Sequence, residues 1–415
     1  MNSNPTLRYR ISIVLLLPIL LIHLCYRAAK DGGKRYFAER LGFLKPDTTP
    51  CLHVHAASVG EVLTALPLLH EIQQRRSDQL LLITTNTPTG ADVLEKQMPQ
   101  RASHAFLPLD FGGSTKRFYT RRNIIESWVI ETEIWPWLFS RAKQMGKPVT
   151  VVNARLSDRS RGWISDCFKR TYSNALQSVR ILARSERDAT LYIERGAEPH
   201  HVRAVGNLKW APPQQKKLKP TSPLQQPYVL AASTHENEEE QLAQAWLSAT
   251  DSGLLVIAPR HPERGARIQS QLVKLLKQHK CGSSTAPRRS LDEPVTGAHR
   301  LYIADTLGEL PDWYAGADAT FVGGSLVKHG GHNVLEAARS STPIIVGLHT
   351  FNFEQEVTLL NSANAITTVS SAAEAVGWMI RATKDKPWAL SVTSNASKTL
   401  ANVDDVIDAY CRELL

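Results

Sequence analysis

The chain has 415 residues, which favours two domains of ~200 residues over a single core. Hydrophobic residues make up 42% and charged residues 21%, globular values that exclude a mostly disordered, collagenous or many-spanning membrane protein. Lys and Arg number 49 against 39 Asp and Glu, and the net charge of +10 points to a polyanion: nucleic acid, an acidic membrane surface or phosphorylated ligands. Cys25, Cys51, Cys167, Cys281 and Cys411 are scattered and form no C-x-x-C pair or Cys/His ligand cluster, which fits a reducing compartment without structural zinc.

The first element is ISIVLLLPILLIHLCY, residues 11–26, uncharged and apolar around all its faces. As a helix it would reach ~24 Å, slightly short of a ~30 Å hydrocarbon core, so it would tilt in or lie shallow. Arg8 and Arg10 precede it, and Arg27, Lys30, Lys34, Arg35 and Arg40 follow. We expect residues 1–30 to form a membrane anchor, with the downstream positive charge keeping the body on the cytoplasmic side against anionic lipid. Leu24-Cys25-Tyr26 offers no small-residue cleavage site. The alternative for this segment is a buried helix of the globular body.

Strand-length apolar runs then alternate with amphipathic segments: CLHVHA before SVGEVLTALPLLHEIQQR, QLLLITT before TPTGADVLEKQ, SWVIETE before IWPWLFSRAKQ, PVTVVNA, and RILARS before ERDATLYIERG. Residues 31–210 form one such half. Residues 211–227, APPQQKKLKPTSPLQQP, read as an interdomain linker. The pattern restarts over residues 228–415 with YVLAAS before THENEEEQLAQAWL, LLVIAPR, ATFVGG before HNVLEAARS, and STPIIVG before FNFEQEVTLL. Alternating strands and helices imply parallel sheets, so the expected class is α/β, with two Rossmann-like doubly wound domains facing across a cleft. Ligands of such sheets bind where strands end.

Those turns carry the unusual residues. Ser58-Val59-Gly60-Glu61 reads either as a capping box or as a turn presenting Glu61 as a general base to an acceptor hydroxyl. Ser233-Thr234-His235-Glu236 repeats the pattern, with capping favoured for Glu236. Glu131 and Glu133 end a strand at alternate positions, which would turn them to opposite faces. Trp135-Pro136-Trp137 starts a helix or marks a rigid turn. Arg260, His261 and Arg264 make a positive strand end suited to phosphate, or a solvated charged turn. Gly323-Gly324-Ser325, with Gly330-Gly331-His332-Asn333 and Glu336, offers backbone N–H groups to an anion. No G-x-x-x-x-G-K-[ST] and no G-x-G-x-x-G after a strand is present, and no D-x-D-like carboxylate pair near a diphosphate is evident, so ATPase, dinucleotide and metal-bound diphosphate readings lack their marks.

Quoted together, HAASVGE (55–61), TTNTPTG (84–90), ETEIWP (131–136), NARLSDRS (153–160), GNLK (206–209), STHENEE (233–239), PRHPER (259–264), DTLGEL (305–310) and FVGGSLVKHGGHNVLEAA (321–338) resemble the bacterial 3-deoxy-D-manno-octulosonic acid (Kdo) transferases of lipopolysaccharide synthesis. Motifs in matching order run from about residue 30 to the C-terminus. The resemblance implies a GT-B fold at the cytoplasmic face of the inner membrane, anchored by residues 11–26. It implies a CMP-Kdo donor in the C-terminal domain and a lipid A precursor acceptor on the N-terminal one. By similarity Glu61 is the general base of an inverting transfer, and Glu131 and Lys209 stabilise the transition state. CMP falls to Pro259 and Arg260, to Leu307, Gly308 and Glu309, and to Asn333, Val334, Leu335 and Glu336. Neither a metal nor another cofactor is implied. The chain departs from the family's pattern at Trp137, commonly Asn, and at Gly206-Asn207-Leu208-Lys209-Trp210, commonly GSLKF, both bearing on the acceptor end. Other readings are a GT-B enzyme or epimerase using a UDP-sugar, a lipid-binding module in which Glu61 merely caps a helix, and, last, a nucleic-acid binder, which lacks basic-aromatic interleaving.

Overall fold

A computed structural model describes residues 4–156, 167–211 and 220–415. Residues 212–219 of the proline-rich 211–227 segment and residues 157–160 of NARLSDRS lie outside the described residues. The chain divides into two compact units, one of residues 1–214 with 404–415, the other of residues 215–403.

The first unit begins with α1 (Leu7–Arg27) and α2 (Gly33–Arg40), followed by β1 (Asp47–His55), α3 (Val59–Arg75), β2 (Leu81–Thr85), α4 (Pro88–Lys96), β3 (Ala102–Phe106), α5 (Gly112–Arg121), β4 (Arg122–Ile130), α6 (Pro136–Gln144), β5 (Val149–Ala154), α7 (Lys169–Leu176), β6 (Arg180–Ala183), α8 (Glu186–Glu194) and β7 (Val202–Ala204). The strands pair in parallel in the order β3-β2-β1-β4-β5-β6-β7. Alternation within single strands covers both faces: Val129, Val151 and Ile181 pack with Phe118, Phe139 and Tyr192, while Trp128, Ile130 and Val152 pack with Leu66, Leu69 and Ile72 of α3.

The second unit runs β8 (Tyr228–Thr234), α9 (Glu238–Ala249), β9 (Leu254–Pro259), α10 (Gly265–Gln278), β10 (Leu301–Ile303), α11 (Leu310–Gly316), β11 (Ala317–Val322), α12 (Val334–Arg339), β12 (Ile344–Val346), α13 (Glu354–Ser362), β13 (Ile366–Thr368), α14 (Ala372–Lys384) and α15 (Lys386–Asp404). Its strand order is β10-β9-β8-β11-β12-β13, again all parallel. Both sheets therefore reverse winding direction between their first and fourth strands, the doubly wound order whose ligands bind at that reversal.

Helix α1 extends beyond the uncharged stretch at both ends and leaves Val14, Leu15, Ile19 and Ile22 at least 63% exposed. Most of its apolar surface therefore lies outside the core of the unit, although both ends dock there: Leu24 is buried with Tyr36, Ala91 and Phe106, and the Tyr9 hydroxyl donates to Asp110 at 2.9 Å. Asp110 also accepts from the Trp137 and Leu138 N–H groups at 3.1 and 2.9 Å, capping α6, which starts at Pro136.

The last helix, α16 (Val406–Leu414), corrects the boundary read from the sequence, which kept residues 228–415 together. It returns to the first unit and buries Val406, Tyr410 and Cys411 among Leu182, Leu208 and the α3 side chains. The Tyr410 hydroxyl donates to the Gly206 carbonyl at 2.9 Å, and Gly206, with φ +126°, has the Val406 methyl where a Cβ would stand. Truncating this fully buried ring by Tyr410→Ala should destabilise the first unit by about 3–5 kcal/mol in urea unfolding, and the loss should appear in that unit's transition.

Candidate functional site

At the reversal point of the first sheet, β4 stops at Ile130 and Glu131 takes φ +65°, a left-handed conformation that costs a non-glycine residue roughly 1–3 kcal/mol. This turn cancels the strand alternation expected for Glu131 and Glu133. Both carboxylates act electrostatically on Glu61. Glu131 is 3% exposed, with Lys209 Nζ 2.8 Å and Arg155 Nε 3.1 Å away, so a carboxylate that burial alone would not tolerate has two cations beside it.

Lys209 stands where two asparagines hold its loop. Asn153, at φ +54° in β5, accepts the Leu208 N–H through its side chain at 3.0 Å, and Asn207 accepts the Lys209 N–H at 3.1 Å. Spacing alone did not single out Lys209, and no role was read for Arg155. The available signal for both was an asparagine beside each, at a turn next to a strand end.

Glu61 sits in the first turn of α3. Ser58 occupies the N-cap position but makes no side-chain capping bond, whereas the Glu61 carboxylate accepts the Ala57 N–H at 2.5 Å. Glu61 thus serves the helix end and also faces other acids. Burial, followed by the negative charge of Glu133, pushes its carboxyl up to about 7, against the pull of the Ala57 N–H. His55 is completely buried behind these groups, with Nδ1 3.1 Å from the Thr84 carbonyl and Nε2 4.0 Å from Glu133. Desolvation holds the imidazole well below its usual range, hence neutral. Burial also raises Glu133, and Arg40 partly reverses that rise.

The second sheet ends in a different chemistry. The glycine-rich turn was expected to aim its N–H groups at a bound anion, but Gly324, Ser325 and Leu326 donate to the buried Glu238 carboxylate at 2.7, 3.1 and 3.0 Å. The same carboxylate accepts the His235 N–H at 2.9 Å, tying the turn after β8 to the turn after β11. Glu236 is likewise not the cap of α9. The helix starts two residues later, after Asn237 at φ +75°, and Glu236 pairs instead with Arg267 on the surface.

The positions assigned to CMP by resemblance all lie at the carboxyl ends of strands in this sheet. Pro259 ends β9 and is buried, and Arg260 is exposed with its N–H on the Thr234 carbonyl at 3.0 Å. Leu307 is 83% exposed beside Gly308 at φ +83°, and the Arg289 guanidinium lies 2.9 Å from Glu309 and holds its carboxyl below the usual carboxylate range. Asn333 caps the Leu335 N–H at 3.0 Å at the start of α12, where Val334 and Leu335 are buried and Glu336 is half-buried. Arg264 is committed to Glu239 at 2.9 Å, which leaves Arg260 as the outward cation of the PRHPER motif.

Two consequences can be measured. A carboxyl-resolved NMR titration should place the Glu61 midpoint near 7, and Glu133→Gln should lower it, because removing a neighbouring negative charge favours the ionised form. Glu238→Ala should cost roughly 3 kcal/mol or more in urea unfolding, since four backbone donors lose their acceptor, with a smaller loss for Glu238→Gln.

Relatives and solved structures agree with this architecture. A family model described as 3-deoxy-D-manno-octulosonic-acid transferase (kdotransferase) matches residues 35–211. The 3-deoxy-D-manno-octulosonic acid transferase of Haemophilus influenzae is 33% identical over 373 residues, covering 86% of either chain. That of Bordetella pertussis is 32% identical over 402 residues and 90% of either chain. The crystal structure of UDP-GlcNAc 2-epimerase from Neisseria meningitidis superposes with a TM-score of 0.55 over 88% of this chain and 99% of that one, at 13% identity, a likeness of fold alone. The chain belongs to the 3-deoxy-D-manno-octulosonic acid transferases, glycosyltransferase enzymes of lipopolysaccharide biosynthesis.

Proposed function

We propose that this enzyme moves Kdo from CMP-Kdo onto a glucosamine hydroxyl of lipid A precursor in a single inverting displacement, with Glu61 as general base. The observation that carries the reading is the place of Glu61, in the first turn of α3 at the reversal point of the first sheet, where burial and the neighbouring Glu133 push its carboxyl up to about 7. A base acts best when its pKa lies near the working pH, strong enough to accept a proton and still largely ionised. In the step, Glu61 takes the hydroxyl proton, the oxygen bonds to the anomeric carbon of Kdo, and the bond from that carbon to the CMP phosphate oxygen breaks with its electron pair. CMP leaves as a phosphate monoester and the configuration inverts. Glu131 and Lys209 form the charged pair that stabilises the transition state, with Arg155 completing the neutralisation of the buried Glu131.

Pro259, Arg260, Leu307, Gly308, Glu309 and Asn333 through Glu336 receive the donor, with Arg260 facing the phosphate. Charge neutralisation by arginine and backbone donors lets a monophosphate donor react without a metal or other cofactor. The exposed apolar face of α1 lies in the cytoplasmic leaflet of the inner membrane, and the basic residues after it face anionic lipid, which brings a lipid-borne acceptor to the first unit.

In a transfer assay with CMP-Kdo and tetraacylated lipid A precursor in EDTA, the wild type should form a Kdo-lipid product, whose mass counts the sugars. Glu61→Gln, which keeps an acceptor for the Ala57 N–H, should bind CMP normally and transfer at least about 100-fold more slowly. Full activity in that variant would reduce Glu61 to a helix cap, and absence of product from the wild type would refute the reaction.

A further inference from the structure

The reversal point of the second sheet carries a group of histidines to which neither the family resemblance nor the reaction assigns a role. His235 follows β8, and His329 and His332 lie on the loop after β11, so they come from the two strands between which the winding changes direction. The His329 ring stacks on His235 with centroids 4.1 Å apart and planes 14° apart. The His332 ring is nearly parallel to that of His235, at 3°, and their Nε2 atoms are 2.9 Å apart. At that separation one nitrogen must donate and the other accept, so the pair holds one proton between two bases. His261, from the turn after β9, stands edge-on to His235 at 6.0 Å.

The surroundings of the stack are deficient in negative charge. Among the described residues, no ion pair reaches His235, His329 or His332; His261 alone of the group has one, with the exposed Glu263 at 3.4 Å. Arg260 and Arg264 add positive charge from the β9 side. The nearby acids are otherwise committed: Glu239 to Arg264 and Thr234, Glu236 to Arg267, and Glu238 to four backbone N–H groups. Desolvation comes first, and the positive potential of neighbouring imidazoles and guanidiniums second, in holding His235 and His332 at about 4, neutral near pH 7. His329 and His261 are exposed, so the cluster opens to solvent at the sheet edge where a doubly wound unit receives its ligand.

We infer that the His235–His329–His332 stack is a proton-coupled oxyanion site: the His235–His332 pair, uncharged when empty, takes up a proton as an oxyanion of the donor arrives, so donor binding strengthens as pH falls. The inference rests on the donor reading of this unit and adds a ligand group to it. An incoming oxyanion at contact distance attracts the protonated pair directly, an attraction that a poorly solvated site leaves unscreened and that opposes both the neighbouring cations and the desolvation, and the proton shared across the Nε2–Nε2 contact gains a companion. The oxyanion is either the phosphate of the nucleotide or the carboxylate of the sugar acid, and the two are separable.

The test is calorimetry on the full-length protein in detergent, in two buffers of different ionisation enthalpy between pH 6.5 and 8, with CMP, free Kdo and cytidine as probes. CMP or Kdo should bind with net proton uptake at pH 7.5, where the CMP phosphate is already a dianion, and should weaken by up to about tenfold per pH unit as pH rises. Uptake with CMP assigns the phosphate, and uptake with Kdo alone assigns the carboxylate. Cytidine should show neither effect. His332→Gln and His329→Gln keep hydrogen-bonding capacity but cannot be protonated. Both should bind the same probe several-fold more weakly at pH 7, and His332→Gln should lose the uptake. His329 is exposed, so that variant leaves the fold intact. Absence of proton uptake with both CMP and Kdo, uptake retained in His332→Gln, or equal uptake with cytidine would overturn this inference while leaving the donor reading standing. If neither CMP nor Kdo binds, both fall.

Discussion

Both sheets pair every strand in parallel, which obliges each connection to cross over through a helix and delivers all strand ends to one edge. Everything chemically unusual in the chain follows from that obligation. Because the strands are buried on both faces, charged groups collect where the pairing stops, while the polar groups within it, such as His53, Thr84 and Ser127, satisfy one another. In the first unit this edge holds His55, Glu131 and the turns leading to Glu61 and Lys209. In the second it holds His235, Arg260, the Leu307–Glu309 turn and the loop from Gly323 to Asn333.

The two edges are electrostatically complementary. The first concentrates carboxylates, and it keeps them ionisable by unequal treatment: Glu131 is matched by Lys209 and Arg155, whereas Glu61 is left beside Glu133 and is raised. One acid thereby has two cations beside it, and the other is raised by burial and by its acidic neighbour. The second edge consumes its carboxylates internally. Glu238 spends its acceptor capacity in joining two turns, while Arg260, His261 and His329 are exposed there.

Backbone conformation supports both edges. Glu131, Asn153 and Ser233 all adopt left-handed φ values at the ends of β4, β5 and β8, positions where a regular strand would have carried the side chain past the site. The strain is borne by dense packing behind it, including a helix drawn from the far end of the chain: α16 covers Gly206 and so braces the turn that ends in Lys209.

The alternation of apolar runs with helical segments was readable along most of the chain because each strand buried on both faces must be a short, nearly continuous apolar stretch. β3, β10 and β13 were not picked out: they are short edge strands, and the first and last are only partly covered, so their residues carry little of that signature. Motif order was enough to indicate the family, and residue type plus position after a strand was enough to single out Glu61 and Arg260. By itself the sequence determined the class of fold, the apolar α1 and the family, since these depend on local periodicity and on strings of adjacent residues. Only the tertiary structure decided that Gly324 and Ser325 serve Glu238 rather than a ligand, that Glu131 and Glu133 both bear on Glu61, that Arg155 joins Lys209, and that α16 belongs with the first unit. Each of these depends on groups from distant segments meeting at a strand end, where hydrogen-bond saturation and mutual charge, invisible in any local window, decide what a side chain can do.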